Sequence, residues 1–278
     1  IISIVVQRKR RKIMIEVPQV VTIAGIDSSG GAGINADVKT FQSQKVYSAT
    51  IVVGLTAQNT LGVQEISSVA PHFILSQFDS VFSDLDISAA KTGALFDVAQ
   101  VKAVITGIQR YQPQHLVVDP VMVAKGGAVL LSDEAIRCIK KELFPLAELI
   151  TPNLQEAEVL LERPISSEEE IRQALYDLQS LGMKNVLIKG GHSASETVTD
   201  LLLTESGEIM RYSASRIDTN RTHGTGDTLS SYITAHLARG EELLDILPHA
   251  KSFITNAIKE SIDVGHGHGP LNHWVSYH

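Results

Sequence analysis

VVTIAGIDSSGGAGINADVKTFQS, residues 20–43, begins as a β-branched run, breaks at a cluster of glycines and serines, and resumes with apolar residues at helical spacing. A short apolar run bounded by turn residues reads as a strand buried on both faces, and the glycine turn into a helix makes it the start of a βαβ unit. The same alternation continues outward. Strands are expected at 20–26, 50–55, 89–92, 115–119, 149–151 and 186–189, with helices near 35–43, 71–83, 98–111, 133–143 and 167–181. The last helix is the clearest, because Ser167 and Glu170 have capping-box spacing and Ile171, Ala174, Leu175, Leu178 and Leu181 share one face. Segments 198–203 and 208–212 flank Glu205-Ser206-Gly207 and read as a hairpin at a sheet edge; helical patterns at 226–239 and 243–262 follow. The fold class is therefore α/β with a mostly parallel sheet, in a single domain over 14–278, since no repeat or linker marks a second one.

Composition narrows the function. The 278 residues are 44% hydrophobic, 20% charged and 5% aromatic, the profile of a globular protein. Net charge is -7 even with five consecutive basic residues, Arg8 to Lys12, so the body is acidic and a poor electrostatic match for nucleic acid or anionic lipid. No apolar run approaches the roughly 20 residues that span a bilayer. Residues 1–13 are expected to be an extension ahead of a start at Met14, with a nucleic-acid or membrane arm as the alternative. Cys138 is the only cysteine, which excludes an intramolecular disulfide and fits a cytoplasmic protein.

Three segments carry candidate chemistry. In the first loop, Gly31, Gly33 and Ala36 fit a dinucleotide pattern, but Asp27 to Gly30 separate them from the strand, and Thr56, Ala57 and Gln58 stand where a ribose-binding acid would end the second strand. Gly31 also occupies the place of a P-loop lysine, and a tight turn without a ligand is the bland reading. The second segment, Thr222-His223-Gly224-Thr225-Gly226-Asp227-Thr228, precedes a helical pattern, and glycines there let backbone N–H groups converge on an anion. Asp227 is then either a helix cap or a catalytic base. In the third, Thr151-Pro152-Asn153-Leu154-Gln155-Glu156, the Asn153 and Glu156 pair suits either Mg²⁺ or a capping box. Asp119 and Lys189 end two further strands, and ligands of open α/β sheets bind outside those carboxyl ends.

Taken together, AGIDSSGGAGINADVKTF, LTAQNTLGV, KTGAL, VVDPVMVAKGG, ITPNLQEAE, VLIKGGH, THGTGDT and VGHGHGPLNHW resemble the hydroxymethylpyrimidine/phosphomethylpyrimidine kinases of thiamine synthesis, in the ribokinase superfamily. The resemblance implies a three-layer α/β/α ribokinase-like domain, a homodimer, and MgATP as phosphoryl donor. It implies transfer first to the hydroxymethyl group of 4-amino-5-hydroxymethyl-2-methylpyrimidine and then to the resulting monophosphate. By the same resemblance Gln58 binds the pyrimidine, Asp37 lies near its ring with Gly25 on the substrate side, and Gly224, Thr225 and Gly226 form an anion hole. Asn153 and Glu156 serve the Mg²⁺ and phosphates, with Lys189 and Asp119 on the nucleotide side. At Asp227 the family usually has cysteine, whereas the wider superfamily uses aspartate as base.

The nearest rival is a pyridoxal or pyridoxine kinase of the same fold. Gln58 argues against it, because a glutamine amide can accept from an exocyclic amine and donate to the adjacent ring nitrogen, as it does with adenine. A dehydrogenase lacks the ribose acid, and an inactive vitamin sensor would not need Gly-Thr-Gly-Asp with Asn-x-x-Glu. Tail residues His266, His268 and His273 sit at glycine spacings that give no rigid ligand face, so the tail is expected to bind no metal.

Overall fold

The computed structural model describes residues 16–124, 127–190 and 196–275. The expected extension 1–13 and Met14 lie outside the described residues, as do Lys125, Gly126 and the end of the VLIKGGH motif. Strand β1 (Gln19–Asp27) leads into α1 (Gly33–Ser43), followed by β2 (Tyr47–Asn59), β3 (Gly62–Ser68), α2 (Pro71–Phe82), β4 (Ile87–Thr92), α3 (Val98–Tyr111) and β5 (His115–Val118). Next come α4 (Asp133–Cys138), β6 (Leu149–Ile150), α5 (Leu154–Leu161), α6 (Glu168–Gln179), β7 (Asn185–Ile188), β8 (Thr197–Leu203), β9 (Ile209–Ser215), α7 (Thr225–Leu237) and α8 (Leu243–Lys259).

The strands form one sheet in the order β3-β2-β1-β4-β5-β6-β7-β8-β9. Pairing is parallel from β2 through β7 and antiparallel where β3, β8 and β9 are added at the edges. Apolar runs form these strands because both faces are covered. Val118, Ile150, Ile188, Leu201 and Leu203 belong to a core that includes residues of α2, α3 and α6, whereas Val117, Leu149, Leu187 and Leu202 pack with α7 and α8 on the other face. Consecutive residues thus serve opposite layers, which is the three-layer α/β/α arrangement. Register then aligns the site, for Thr92 pairs with Val118, Val118 with Ile150, and Ile150 with Val186, so the chain leaves β4, β5, β6 and β7 at one edge of the sheet.

Four elements depart from expectation. The strand expected at 50–55 runs on to Asn59 because β3 pairs with its second half, Thr56 opposite Ile66 and Asn59 opposite Gly62. β3 has only Val63 and Ile66 as apolar residues and is largely exposed, so its sequence carries no buried-strand signal. The helix expected at 133–143 stops at Cys138, widens into a π turn over Ile139–Leu143 and tightens into a 3₁₀ turn at Phe144–Leu146, where Pro145 removes a backbone donor. The last helix ends at Lys259. Among the described residues no helix is long and apolar enough to cross a membrane.

Phe78 fixes one outer layer to the sheet. Its ring is fully buried, stacks on Phe82 at 5.9 Å and Tyr111 at 6.4 Å, and lies so close to Gly107 that a Cβ there would come within 2.5 Å of it. Phe78→Ala should lower unfolding free energy by about 3–5 kcal/mol in urea titration.

Candidate active site

A cavity of about 740 Å³ opens at the carboxyl ends of β1, β2, β5 and β7 and at the start of α7. Gly25, Gln58, Asp119, Asn153, Glu156, Lys189, Gly224, Thr225, Gly226 and Asp227 all line it, which brings together ten positions scattered over 203 residues of sequence numbering, from 25 to 227. The first glycine loop is closed on itself: Ser29 N donates to Asp27 Oδ1 (2.8 Å), and Gly31 N and Ala32 N donate to Asp27 Oδ2 (3.1 and 3.0 Å). Its donors serve its own aspartate, so it is a built turn rather than a pyrophosphate cradle.

The anion site belongs to α7. Its N-cap is Gly224 in a left-handed conformation (φ 83°), and a Cβ there would lie 2.0 Å from the Gly31 carbonyl, so the two glycine loops meet backbone to backbone. A side chain at Gly226 would meet Asp119 Oδ2 and Lys189 Nζ at 3.1 Å. No side chain caps α7, its first residues Gly224, Thr225 and Gly226 line the cavity, and the helix dipole adds positive potential there, while Thr225 N donates back to Thr222 O at 3.4 Å.

Asp227 sits in the first turn of α7, nine-tenths buried, and does not cap it. Its Oδ1 accepts from Lys91 Nζ at 3.0 Å. Burial opposes its charge, but the Lys91 ammonium and the Gly33 N–H hold the carboxyl below its usual range. Asp37, expected near the substrate ring, is placed otherwise: it is fully buried beneath the cavity. There it accepts from Thr22 Oγ1 (2.6 Å), Lys91 Nζ (2.7 Å) and Ser231 Oγ (2.7 Å). The helical spacing of α1 points Asp37 toward α7 rather than toward the loop.

Lys189 donates to Asp119 Oδ1 at 2.8 Å, and Thr151 Oγ1 donates to the same oxygen at 3.1 Å. Burial works against the Lys189 charge, but Asp119 and Glu156 raise its pKa, so it stays an ammonium beside Gly226. The capping reading of Asn153 and Glu156 holds: Glu156 N donates to Asn153 Oδ1 (2.9 Å), and Asn153 N donates to Glu156 Oε2 (2.7 Å). Capping does not exhaust Glu156, which lines the cavity with its pKa pushed up to about 7, chiefly by burial, against the pull of Lys189 and with a push from Asp119. Mg²⁺ carried on nucleotide phosphates takes one or two carboxylates and keeps several waters, and the cavity-lining carboxyls Glu156 and Asp119 beside the anion site fit that need. Among the described residues no group of three or more histidine, cysteine or acidic side chains could hold a metal by itself.

Two functional groups escaped sequence reasoning. His223 Nε2 lies 2.8 Å from Asp27 Oδ2 and 3.2 Å from the Gln58 amide, a junction formed only when loops 196 residues apart meet. Burial acts against the Asp27 charge, but hydrogen bonds from His223 and Ser29 hold its carboxyl low. The ring proton therefore goes to Asp27, and Gln58 Oε1 accepts from Thr56 Oγ1 at 3.0 Å. Lys91 is the second, and its signal was present: a lysine inside the buried strand Ile87–Thr92. At the opposite end of the cavity, Asp200 accepts from Gly190 N (2.9 Å) and Lys251 Nζ (2.7 Å), fixing the end of β7 against α8.

The tail closes the Gln58 end. Thr60 Oγ1 accepts from His266 N and Gly267 N (both 3.1 Å), Thr60 O accepts from His268 N (2.8 Å), and His223 N donates to Gly269 O (3.1 Å). His273 is buried, with its Nε2 3.0 Å from Thr228 Oγ1 in α7.

Comparison with known proteins agrees with this geometry. The family model for phosphomethylpyrimidine kinase matches residues 27–272. The chain is 45% identical over 265 residues to the hydroxymethylpyrimidine/phosphomethylpyrimidine kinase of Haemophilus influenzae, covering 94% of this chain and 98% of that one. It is also 45% identical over 254 residues, 91% of its length, to the thiamine biosynthesis bifunctional protein ThiED of Geobacter sulfurreducens, and spans about half (52%) of that longer protein. An ADP complex of Bacillus subtilis pyridoxal kinase superposes with a TM-score of 0.86 at 35% identity, over 93% of this chain and 98% of the other.

His273 gives the site a measurable pH signature. Burial, helped by Lys39, lowers its pKa to about 4, against an ordinary value of 6.5. Between pH 6.5 and 4 the unfolded chain binds a proton that the folded chain does not, so this contribution to stability is intact above pH 6.5 and is lost as pH falls toward 4. His273→Gln keeps a hydrogen-bonding side chain and removes the titration. Its thermal midpoint should fall less than the parent's between pH 7 and 4.5; parallel curves would show that another group carries the linkage.

Proposed function

The chain belongs to the phosphomethylpyrimidine kinase family, and from that premise we propose how its own residues divide the work of a kinase acting on 4-amino-5-hydroxymethyl-2-methylpyrimidine and then on its monophosphate. The carrying observation is the ionised Asp227 at the open start of α7, between the Gln58 end of the cavity and Lys189. MgATP would be the donor; Asn153 and Glu156 would hold its metal-bearing phosphates, and the metal would supply charge neutralisation there.

Gln58 binds the aminopyrimidine edge, and Gly25 leaves room for it. The turn Gly224-Thr225-Gly226 at the positive end of α7, with the Gly226 N–H and the Lys189 ammonium, receives the charge of the transferred phosphoryl group. Asn153 and Glu156 serve the metal-bound phosphates, with Asp119 holding Lys189 in line. Asp227 orients the substrate hydroxyl and takes its proton. A carboxylate is a weak base for an alcohol, but a loose phosphoryl-transfer transition state asks for little proton removal early on, so orientation contributes as much as basicity.

Pyridoxal phosphorylation is the second reading, supported by the superposition on B. subtilis pyridoxal kinase. The Gln58 amide favours the aminopyrimidine. The same proposal takes residues 14–278 as one domain and the protein as a cytoplasmic homodimer, a state supported by exposed Tyr47, Ile66 and Phe73 beside the open β3 edge. The acidic body supports no nucleic-acid partner.

ATP-dependent transfer measured on hydroxymethylpyrimidine, its monophosphate and pyridoxal tests the reading; a preference for pyridoxal would replace it. Asp227→Asn should fold normally and lose on the order of 10²-fold in kcat for the hydroxymethyl substrate. The loss should be much smaller for the monophosphate, whose phosphate oxygen is already an anionic nucleophile. Gln58→Leu should raise the KM for the pyrimidine by roughly 10- to 100-fold with the KM for ATP unchanged.

A further inference from the structure

Beneath the cavity, Lys91 is fully buried, with its ammonium 2.7 Å from Asp37 Oδ1 and 3.0 Å from Asp227 Oδ1. The three side chains come from β4, α1 and α7, so the bridge joins two strand-to-loop units and the helix that carries the anion site. Asp37 is saturated by Lys91, Thr22 and Ser231, and its burial means that it meets no substrate. Lys91 holds Asp227 by Oδ1, and the Asp227 carboxylate lines the cavity.

We infer that Lys91, held by Asp37, is the positioning residue for this reaction: it fixes the Asp227 carboxylate in the orientation that meets the substrate hydroxyl and keeps it unprotonated. This rests on the reading of Asp227 as the base. A lysine chain has enough rotamer freedom that one partner would leave its ammonium loose; two carboxylates and full burial leave it one position. Burial alone would protonate Asp227, and the ammonium at 3.0 Å reverses that. Asp37 is pushed up to about 6 by burial and by Asp227, against the pull of Lys91, and remains ionised at neutral pH as the counter-ion. The other charged or titratable groups facing Asp227 are His223 from the loop before α7, His273 from the tail and Lys189 across the cavity, with Asp119 acting on the same ammonium.

Two variants test this. Lys91→Met removes the ammonium at nearly constant volume. Because it strands two buried carboxylates and can fail to fold, it is paired with Lys91→Met/Asp37→Asn, which removes one of them. In the folded two-site variant, kcat for the hydroxymethyl substrate should fall at least about ten-fold, with both KM values within about two-fold. The acidic limb of its pH–kcat profile should move to higher pH, a change that a purely structural bridge would not cause. Added to Asp227→Asn, the same two substitutions should cost little more, because they act through that carboxylate. A two-site variant with parental kcat and pH profile overturns the inference while leaving Asp227 as base, provided Asp227→Asn is itself impaired. Undiminished kcat in Asp227→Asn overturns both.

Discussion

A buried ammonium is tolerated when carboxylates surround it, and removing either side of such a pair leaves an uncompensated charge in the interior. Lys91 imposes that constraint here. Its two partners come from α1 and α7, helices packed against each other in one layer, so β4, α1 and α7 have to meet at one point for both ion pairs to form. The approach of α7 to the first loop follows, and with it the contact of Gly224 against the Gly31 carbonyl that only a glycine permits. Once α7 is set at this height, its unfilled N-terminus faces the cavity and Ser230 and Thr228 bond back to Gly226 and Gly224.

Much of this was legible in residue order. Apolar runs ending in Asp119, Thr151 and Lys189 marked the sheet edge, and the Ser167 and Glu170 box marked a helix start that the structure reproduces. What was not legible depends on partners distant in sequence. β3 exists because β2 offers it an edge, and a segment with two apolar residues has no signal of its own. Asp37 was carried by resemblance to the substrate ring, yet it is the fifth residue of α1, a full turn beyond the N-terminal loop, and its side chain meets Lys91 there. His223 was inside a quoted motif, but its pairing with Asp27 and Gln58 arises from tertiary closure. Asn153 and Glu156 show that two readings of one hexapeptide need not compete: the capping box fixes the backbone, and the same carboxyl still faces the cavity.

The charge layout separates duties along the cavity. At the Gln58 end, Asp27 and His223 are matched to one another, and the Gln58 amide lines the cavity beside them without a net charge. In the middle, Lys189 stands beside the helix terminus, donating to Asp119 and drawn also by the charge of Glu156. The Glu156 carboxyl, pushed up to about 7 chiefly by burial, is costly to ionise where it stands.

The strap of residues 265–273 has a consequence for how the protein is made. Its backbone staples the β2–β3 turn through Thr60, and His273 braces α7 through Thr228. These ties are thus among the last of the described contacts to form as the chain leaves the ribosome, so a nascent chain already holding its whole sheet still lacks the brace on α7 and on the β2–β3 turn until translation has passed residue 273.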